Sequence, residues 1–434
     1  MTVANKTAAR LAIHGAPKAV SFEDESLFHW PIVTAEDESA VLQVLRAGTM
    51  SDGEITKQFE QEFAQYAGAA YALASCNGTT SLLEAMFGVG LGRGDEMIMP
   101  SLTYWASGLQ MFSLGATPVF ADIDPVTLCI DPRDIERRIT PKTRAVMVVH
   151  YCGHPCDMDA IVAICNKRRL KLIEDVSHAH GAMYRGRMVG TFGDVAAASL
   201  MAGKSLAVGE GGILWTNDRQ IYERAVAFAH YERTKTEITD PQLKGIAAPE
   251  GFMSGLPLGG VKGRMNQTCA AMGRVQLKHY PERIEEIQRA MNRFWDLLDG
   301  VPGLRPHRVD PRSDSTMGGW YNPLGHYVPE ALGGLPVTKF IESVNAEGGR
   351  SGRGANFPLH LHPLLNEADV YHDGKPTRLA FSDRDVREPI GSLPVSEALG
   401  DRVFGIPWFK HDRGEAIEQF AAAYRKVATR AADL

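Results

Sequence analysis

Between residues 34 and 216 short apolar runs alternate with stretches of helical period, and no other feature restricts the fold of this chain as strongly. The apolar runs predict strands at 71–75, 97–99, 118–121, 145–149, 170–173, 196–200 and 213–216. Helices are predicted at 34–45, 56–66, 77–87, 103–112, from 132 onward, and at 157–168. Thr34 with Asp37 has the spacing of a capping box, Gly48 and Gly68 fit helix ends, and Asp131-Pro132 fits a helix start. Strands that are apolar throughout and separated by helices imply an α/β fold, with a mostly parallel sheet of seven strands covered on both faces. Ligands of such sheets sit beyond the carboxyl ends of the strands. Three groups fall there: the helix start at Gly78-Thr79-Thr80, Asp175 after the 170–173 strand, and the loop containing Lys204.

The pattern breaks at a Gly/Pro-rich stretch, 245–263. A long helical segment, 266–298, follows and is expected to bend or break near Pro281. Turn-rich strands come after 303, then a last helix at 415–431. This organisation predicts an N-terminal arm (1–33), a large domain (34–284) and a smaller α+β domain (285–434), which 434 residues amply support. With 46 basic and 52 acidic residues and no basic block, the chain has no electrostatic footprint for nucleic acid or an anionic membrane. No apolar run approaches the ~20 residues of a membrane span, and the start lacks the apolar core of a signal peptide. Six cysteines in so long a chain form no disulfide framework, which points to the cytoplasm.

The loop S-L-M-A-G-K-S-L-A-V-G-E-G-G at 199–212 contains G-K-S, yet it is not a phosphate loop. A Walker motif needs a glycine five places before the G-K pair, where Ala198 stands, and a helix after the lysine, where a strand follows. Two other suggestive runs also fail. C-G-H-P-C at 152–156 has no second Cys/His pair at zinc-finger spacing, and G-V-G-L-G at 88–92 lies between a helix and a strand, the reverse of a dinucleotide turn. A lysine among small residues at a sheet edge suits a Schiff base with an aldehyde cofactor. Asp175 at a strand end suits ion pairing with a pyridinium nitrogen, Gly78-Thr79-Thr80 suits a phosphate at a helix start, and Tyr104 suits ring stacking. Together these are the needs of pyridoxal phosphate, although each alone has a plainer structural reading.

Longer motifs carry a resemblance: N-G-T-T-S from Asn77, P-S-L-T-Y from Pro100, G-A-T-P-V-F-A-D-I-D from Gly115, residues 150–158, E-D-V-S-H-A-H-G from Glu174, residues 199–212, Arg264-Met265, Gln276-Leu277 and P-L-H-L from Pro358. In this order they resemble the DegT/DnrJ/EryC1/StrS aminotransferases, fold-type I pyridoxal phosphate enzymes. The resemblance implies Lys204 as the Schiff-base lysine, Asp175 as the pyridine-nitrogen partner and His178 beside the ring oxygen. It further implies Tyr104 stacked on the ring, Gly78, Thr79, Thr80 and Ser199 at the phosphate, and His360 on the substrate side. For His178, His180 and His360 the competing reading is structural hydrogen bonding. One departure stands out: where the family has Gly-aromatic-Asn-aromatic before Arg-Met, this chain has Gly260-Val-Lys-Gly263. Lys262 therefore takes the place of an Asn that reaches the phosphate of the neighbouring subunit in the family.

The implied activity is a two-stage transamination in a homodimer with shared sites. It moves an amino group from glutamate or glutamine to a keto sugar, nucleotide-linked by the family's commonest habit, or alternatively to a free cyclitol or aminoshikimate-type ring. Three other readings compete: a dehydratase of the same family, which has His in place of Lys204; a cofactor-holding regulatory protein without turnover; and a metal hydrolase built on Asp175, His178, His180, Cys152 and His154.

Overall fold

The structure is a computed structural model that describes residues 10–51, 53–249 and 255–434. The first nine residues of the arm and residues 250–254 of the Gly/Pro-rich stretch lie outside the described residues. The central sheet has seven strands: β1 (Tyr71–Ser75), β2 (Glu96–Pro100), β3 (Thr117–Ala121), β4 (Thr143–Val149), β5 (Lys171–Asp175), β6 (Val195–Ser199) and β7 (Gly212–Thr216). Their spatial order is β1-β7-β6-β5-β4-β2-β3. All run in one direction except β7, which is antiparallel to both β1 and β6. The expected mostly parallel, seven-stranded sheet is therefore present. Both faces are buried, and β4 shows how the two-residue period of a strand does this. Ala145, Met147 and Val149 enter one core, while Val146 and Val148 enter the core on the opposite face.

The first helices are α1 (Ala35–Ala47), α2 (Glu54–Ala67) and α3 (Gly78–Gly88). Thr34 and Asp37 form the anticipated reciprocal cap of α1, and Gly48 ends it in the left-handed conformation at φ 68°. Two helical expectations need correction. In place of a helix at 103–112 there are two short 3₁₀ turns, Trp105–Ser107 and Leu109–Leu114. Gly108 separates them with φ −157°, packed so tightly that a Cβ there would lie 2.4 Å from Met99 Sδ. Conversely, the 266–298 segment is one continuous helix, α4 (Gln267–Leu297), with Pro281 inside it. Burial on both sides of the proline, by Leu277 and Tyr280 before it and Ile284 and Ile287 after it, holds the helix through the missing N–H.

A second sheet, β8 (Leu304–Pro306), β9 (Leu324–Tyr327), β10 (Gly352–Arg353) and β11 (Val403–Gly405), is antiparallel throughout in the order β8-β9-β11-β10. Its core joins Phe404 to Met291, Phe294 and Trp295 from the second half of α4 and to Phe420 and Tyr424 from the final helix, α5 (Gly414–Thr429). Leu11, Val20 and Leu27 belong to the same core, so the described part of the N-terminal arm docks on this C-terminal unit. No helix among the described residues is long and apolar enough to cross a membrane.

Candidate active site

β6 and β7 are antiparallel neighbours, so the chain leaving β6 must turn back at the carboxyl edge of the sheet. That turn, 200–211, carries Lys204 and stands beside the end of β5, where Asp175 closes the strand. A cavity of about 490 Å³ opens at this edge and is lined by Gly78, Thr79, Tyr104, Asp175, His178, Ser199 and Lys204 among others. Two more open grooves, one between α1, α2 and α4 and one along α4, bring together no comparable set.

Lys204 is 8% exposed. Its backbone N–H donates to the Met201 carbonyl at 2.8 Å, and its carbonyl accepts the indole N–H of Trp30 at 2.8 Å. Burial pulls the amine down to about 8, while the Asp175 carboxylate and the Cys152 thiol oppose that shift. The Nζ atom lies 3.9 Å from the centroid of the Tyr321 ring.

The Asp175 carboxylate is buried and oriented by two donors, Ser107 Oγ at 2.8 Å and the Ser177 N–H at 3.0 Å. Its neighbour Glu174 points to the opposite side of the strand, where the N–H groups of Gly190, Phe192 and Gly193 and His150 Nε2 all bind it. Of two adjacent acids, only Asp175 faces the cavity. His178 Nδ1 accepts the Cys152 N–H at 3.3 Å, so the neutral ring carries its proton on Nε2. Burial first, then the nearby Lys204 and His180, hold His178 well below the ordinary imidazole range, which keeps it neutral.

At the opposite end of the cavity α3 begins. The Asn77 side chain caps it by accepting the Thr80 N–H at 2.9 Å and the Thr80 hydroxyl at 3.0 Å. The Thr80 hydroxyl is thereby turned to the cap, and Thr80 is not among the cavity-lining residues, whereas Gly78 and Thr79 are. A Cβ on Gly78 would lie 2.6 Å from Ser199 Cα, so the bare helix start rests directly on the end of β6. First-turn N–H groups and the positive end of the helix make this an anion cradle. Tyr104, half exposed, stands at the mouth beside Trp105.

Two residues singled out from the sequence lie elsewhere. His360 is buried outside the cavity lining, with Nδ1 bonded to Ser101 Oγ at 2.7 Å and Nε2 to Glu397 Oε1 at 3.2 Å. Both ring nitrogens are engaged in holding the 358–397 segment to the end of β2, which is the structural hydrogen bonding weighed against a substrate role. Lys262 is exposed, on a loop whose Gly263 carbonyl accepts the Cys76 N–H at 2.6 Å, and it does not line the cavity of its own chain. Sequence reasoning missed Tyr321, Asn322 and Asn356, which line the wall facing Lys204. Tyr151 Oη donates to Asn356 Oδ1 at 2.7 Å, leaving the amide N–H₂ of Asn356 as the group without that tie. A signal for Tyr321 was present in Gly318-Gly319. A Cβ on Gly318 would lie 2.3 Å from the His180 carbonyl, and one on Gly319 would lie 2.2 Å from Ser205 Cβ, so this turn must pack flush against the Lys204 loop. Among the described residues no three His, Cys, Asp or Glu side chains converge to hold a metal ion.

The donor set fits an aldehyde cofactor with a pyridine ring and a phosphate: an amine, a carboxylate, a neutral imidazole and an anion cradle around one cavity. On such a sheet these features define a fold-type I pyridoxal phosphate enzyme. The DegT/DnrJ/EryC1/StrS aminotransferase family matches residues 31–423, and the chain belongs to it. GDP-perosamine synthase of Escherichia coli O157:H7 is 37% identical over 89% of this chain and 94% of its own length. L-glutamine:2-deoxy-scyllo-inosose aminotransferase of Streptoalloteichus tenebrarius is 34% identical over 78% of this chain and 80% of its own. Among solved structures, the aminotransferase from Psychrobacter cryohalolentis superposes with a TM-score of 0.79 at 29% identity, covering 93% of this chain and 98% of that one.

Proposed function

We propose that this chain is a pyridoxal phosphate-dependent aminotransferase that transfers an amino group from glutamate or glutamine to the ketone of a sugar or cyclitol, in amino sugar or aminocyclitol biosynthesis. The observation that carries the reading is a buried lysine amine and a buried, oriented aspartate at neighbouring strand ends, facing one cavity with a bare helix start. GDP-perosamine synthase and the inosose aminotransferase span both acceptor classes.

Bound pyridoxal phosphate supplies an electrophilic aldehyde carbon and an electron-withdrawing ring. Lys204 is the amine that would hold that carbon, and when free it would be the group that moves the proton at the amino-bearing carbon, as base and then as acid. Asp175 would hold the ring nitrogen in its protonated form, and the Nε2–H of His178 would serve the ring oxygen. Gly78, Thr79 and Ser199 would hold the phosphate, and Tyr104 would stack on the ring. Asn322 and Asn356 offer neutral amide groups to acceptor hydroxyls. Lys262, exposed on its own chain, serves the phosphate of a partner copy in a homodimer. The six free cysteines accord with a cytoplasmic setting.

The test is a panel of nucleotide-linked keto sugars, free keto sugars and cyclitol ketones, each assayed for amine formation with glutamate and with glutamine. Amine transfer to one class names the acceptor. Conversion of neither donor, with cofactor demonstrably bound, overturns the reading in favour of a cofactor-holding protein.

A further inference from the structure

Burial disfavours charge on Lys204, yet its Nζ rests 3.9 Å from the centre of an aromatic face, where the ring quadrupole attracts a cation. The ring belongs to Tyr321, which stands on a turn with left-handed backbone at both flanking residues, Trp320 (φ 54°) and Asn322 (φ 50°). Such geometry is costly for non-glycine residues and persists where surrounding packing demands it. The packing is explicit. Trp408 stands edge-on to Tyr321 at 5.7 Å and 87°, and its indole N–H donates to the Gly319 carbonyl at 3.0 Å. His178 packs on Tyr321 at 4.6 Å. Trp30, 6.1 Å from Trp408, donates its indole N–H to the Lys204 carbonyl. Two tryptophans from opposite ends of the chain thus hold the backbone of the Tyr321 turn and that of Lys204 in register.

We propose that the face of Tyr321 is the seat of the Lys204 ε-amine whenever that amine is not bonded to cofactor, and that Trp408 and Trp30 are positioning residues for this pair. The proposal rests on Lys204 being the cofactor-bonding lysine. The titratable groups that act on the amine are the Asp175 carboxylate, the Cys152 thiol and the neutral rings of His178 and His180, and the Glu210 carboxylate and the Tyr104 hydroxyl line the same cavity. Among them the Asp175 carboxylate also receives Ser107 Oγ and the Ser177 N–H, one on each oxygen. The ring face is a further counterweight to burial: it favours the protonated amine and returns it to one place between proton transfers.

This makes a prediction that a purely structural role for Tyr321 does not. Replacing the face with an aliphatic group leaves burial less opposed, so more of the amine is neutral at a given pH. In cofactor-free protein, the rate at which added pyridoxal phosphate becomes covalently bound, followed by absorbance against pH, reports the neutral fraction of Lys204. Tyr321→Leu is expected to move the midpoint of that profile down by about 0.5 to 1 pH unit, making capture faster below pH 7. The same variant is expected to lower kcat by about 10- to 100-fold with little change in donor KM, because the amine is no longer placed. Tyr321→Phe keeps the face and is expected to keep both values, and Trp408→Leu is expected to shift both in the Leu direction by less. If Tyr321→Leu does not fold, phenylalanines of increasing fluorination at position 321 provide a graded series in which the midpoint falls as the face becomes electron-poor. An unchanged midpoint in Tyr321→Leu or across the fluorinated series overturns the proposal, and so does a Phe variant that behaves like Leu. A parent protein that binds the cofactor through another lysine instead refutes the proposed function on which this stands, and Lys204→Ala is the control that separates the two.

Discussion

The indole N–H of Trp30 donates to the backbone carbonyl of Lys204 at 2.8 Å, joining the N-terminal arm to the loop that presents the buried amine. Trp30→Phe keeps most of the packing and deletes the donor. Loss of this bond is expected to cost about 1 kcal/mol of stability, read from the urea midpoint, with a reduced kcat at saturating substrate. An unchanged midpoint and unchanged kcat would show that the arm does not support the loop.

Lys204 also has a consequence for stability against pH. Its folded value, about 8, lies below the ordinary 10.5 of a free lysine. Between these values the unfolded chain binds more protons than the folded one, so the contribution of Lys204 to stability rises as pH rises through that window. Below it the buried ammonium is a net cost. Cofactor-free Lys204→Met is expected to be more stable than the parent at pH 7, by up to about 3 kcal/mol, with the difference shrinking towards pH 10. Denaturant titrations at pH 7 and pH 10 test both sign and trend, and a variant less stable than the parent at pH 7 would contradict the assignment of burial as the dominant effect.

Gly78→Ala places a methyl group 2.6 Å from Ser199 Cα, a backbone atom that cannot swing aside. The start of α3 must move away from the end of β6, opening the anion cradle. Cofactor affinity is expected to fall by about 10- to 100-fold, the equivalent of one to three kcal/mol of forced overpacking. Equilibrium binding of pyridoxal phosphate measures this directly, and parent-like affinity would remove the cradle from this location.

Asn356 and His360 lie four residues apart and should respond differently. Asn356→Ala removes an amide from the cavity wall and is expected to raise the KM for the ketone acceptor at least tenfold while leaving conversion of the amino donor intact. His360→Ala removes the ring bonds to Ser101 and Glu397, which keep their backbone donors, and is expected to cost about 1 kcal/mol of stability, with little change in either KM. The two half-reactions, followed separately by cofactor absorbance, distinguish these outcomes, and an acceptor-specific defect in His360→Ala would restore it as the substrate-side residue.

Much of the fold was legible because burial on both faces leaves a clear mark: the uninterrupted apolar run at 145–149 can only be an inner strand of a covered sheet. Failures occurred where tertiary contacts override local pattern. The 103–112 segment has helical spacing, but the non-helical backbone at Gly108 divides it into two 3₁₀ turns, and Pro281 fails to end a helix that is buried on both sides of it. The parts of the site contributed by short motifs, Lys204, Asp175 and Gly78, were legible because each chemistry needs a particular residue at a strand or helix end. Tyr321 and Asn356 carry no such mark. They reach the cavity from the turn-rich C-terminal unit, where position is set by packing against distant residues such as Ser205 and Tyr151.

The central claim is that Lys204 bonds the cofactor. Borohydride treatment of the cofactor-loaded protein makes that bond permanent, and peptide mapping by mass spectrometry then locates it. The predicted result is a single pyridoxyl-modified peptide carrying Lys204, absent from Lys204→Ala. Modification of another lysine, or none in a protein that retains its cofactor and transfers amino groups, would contradict the account.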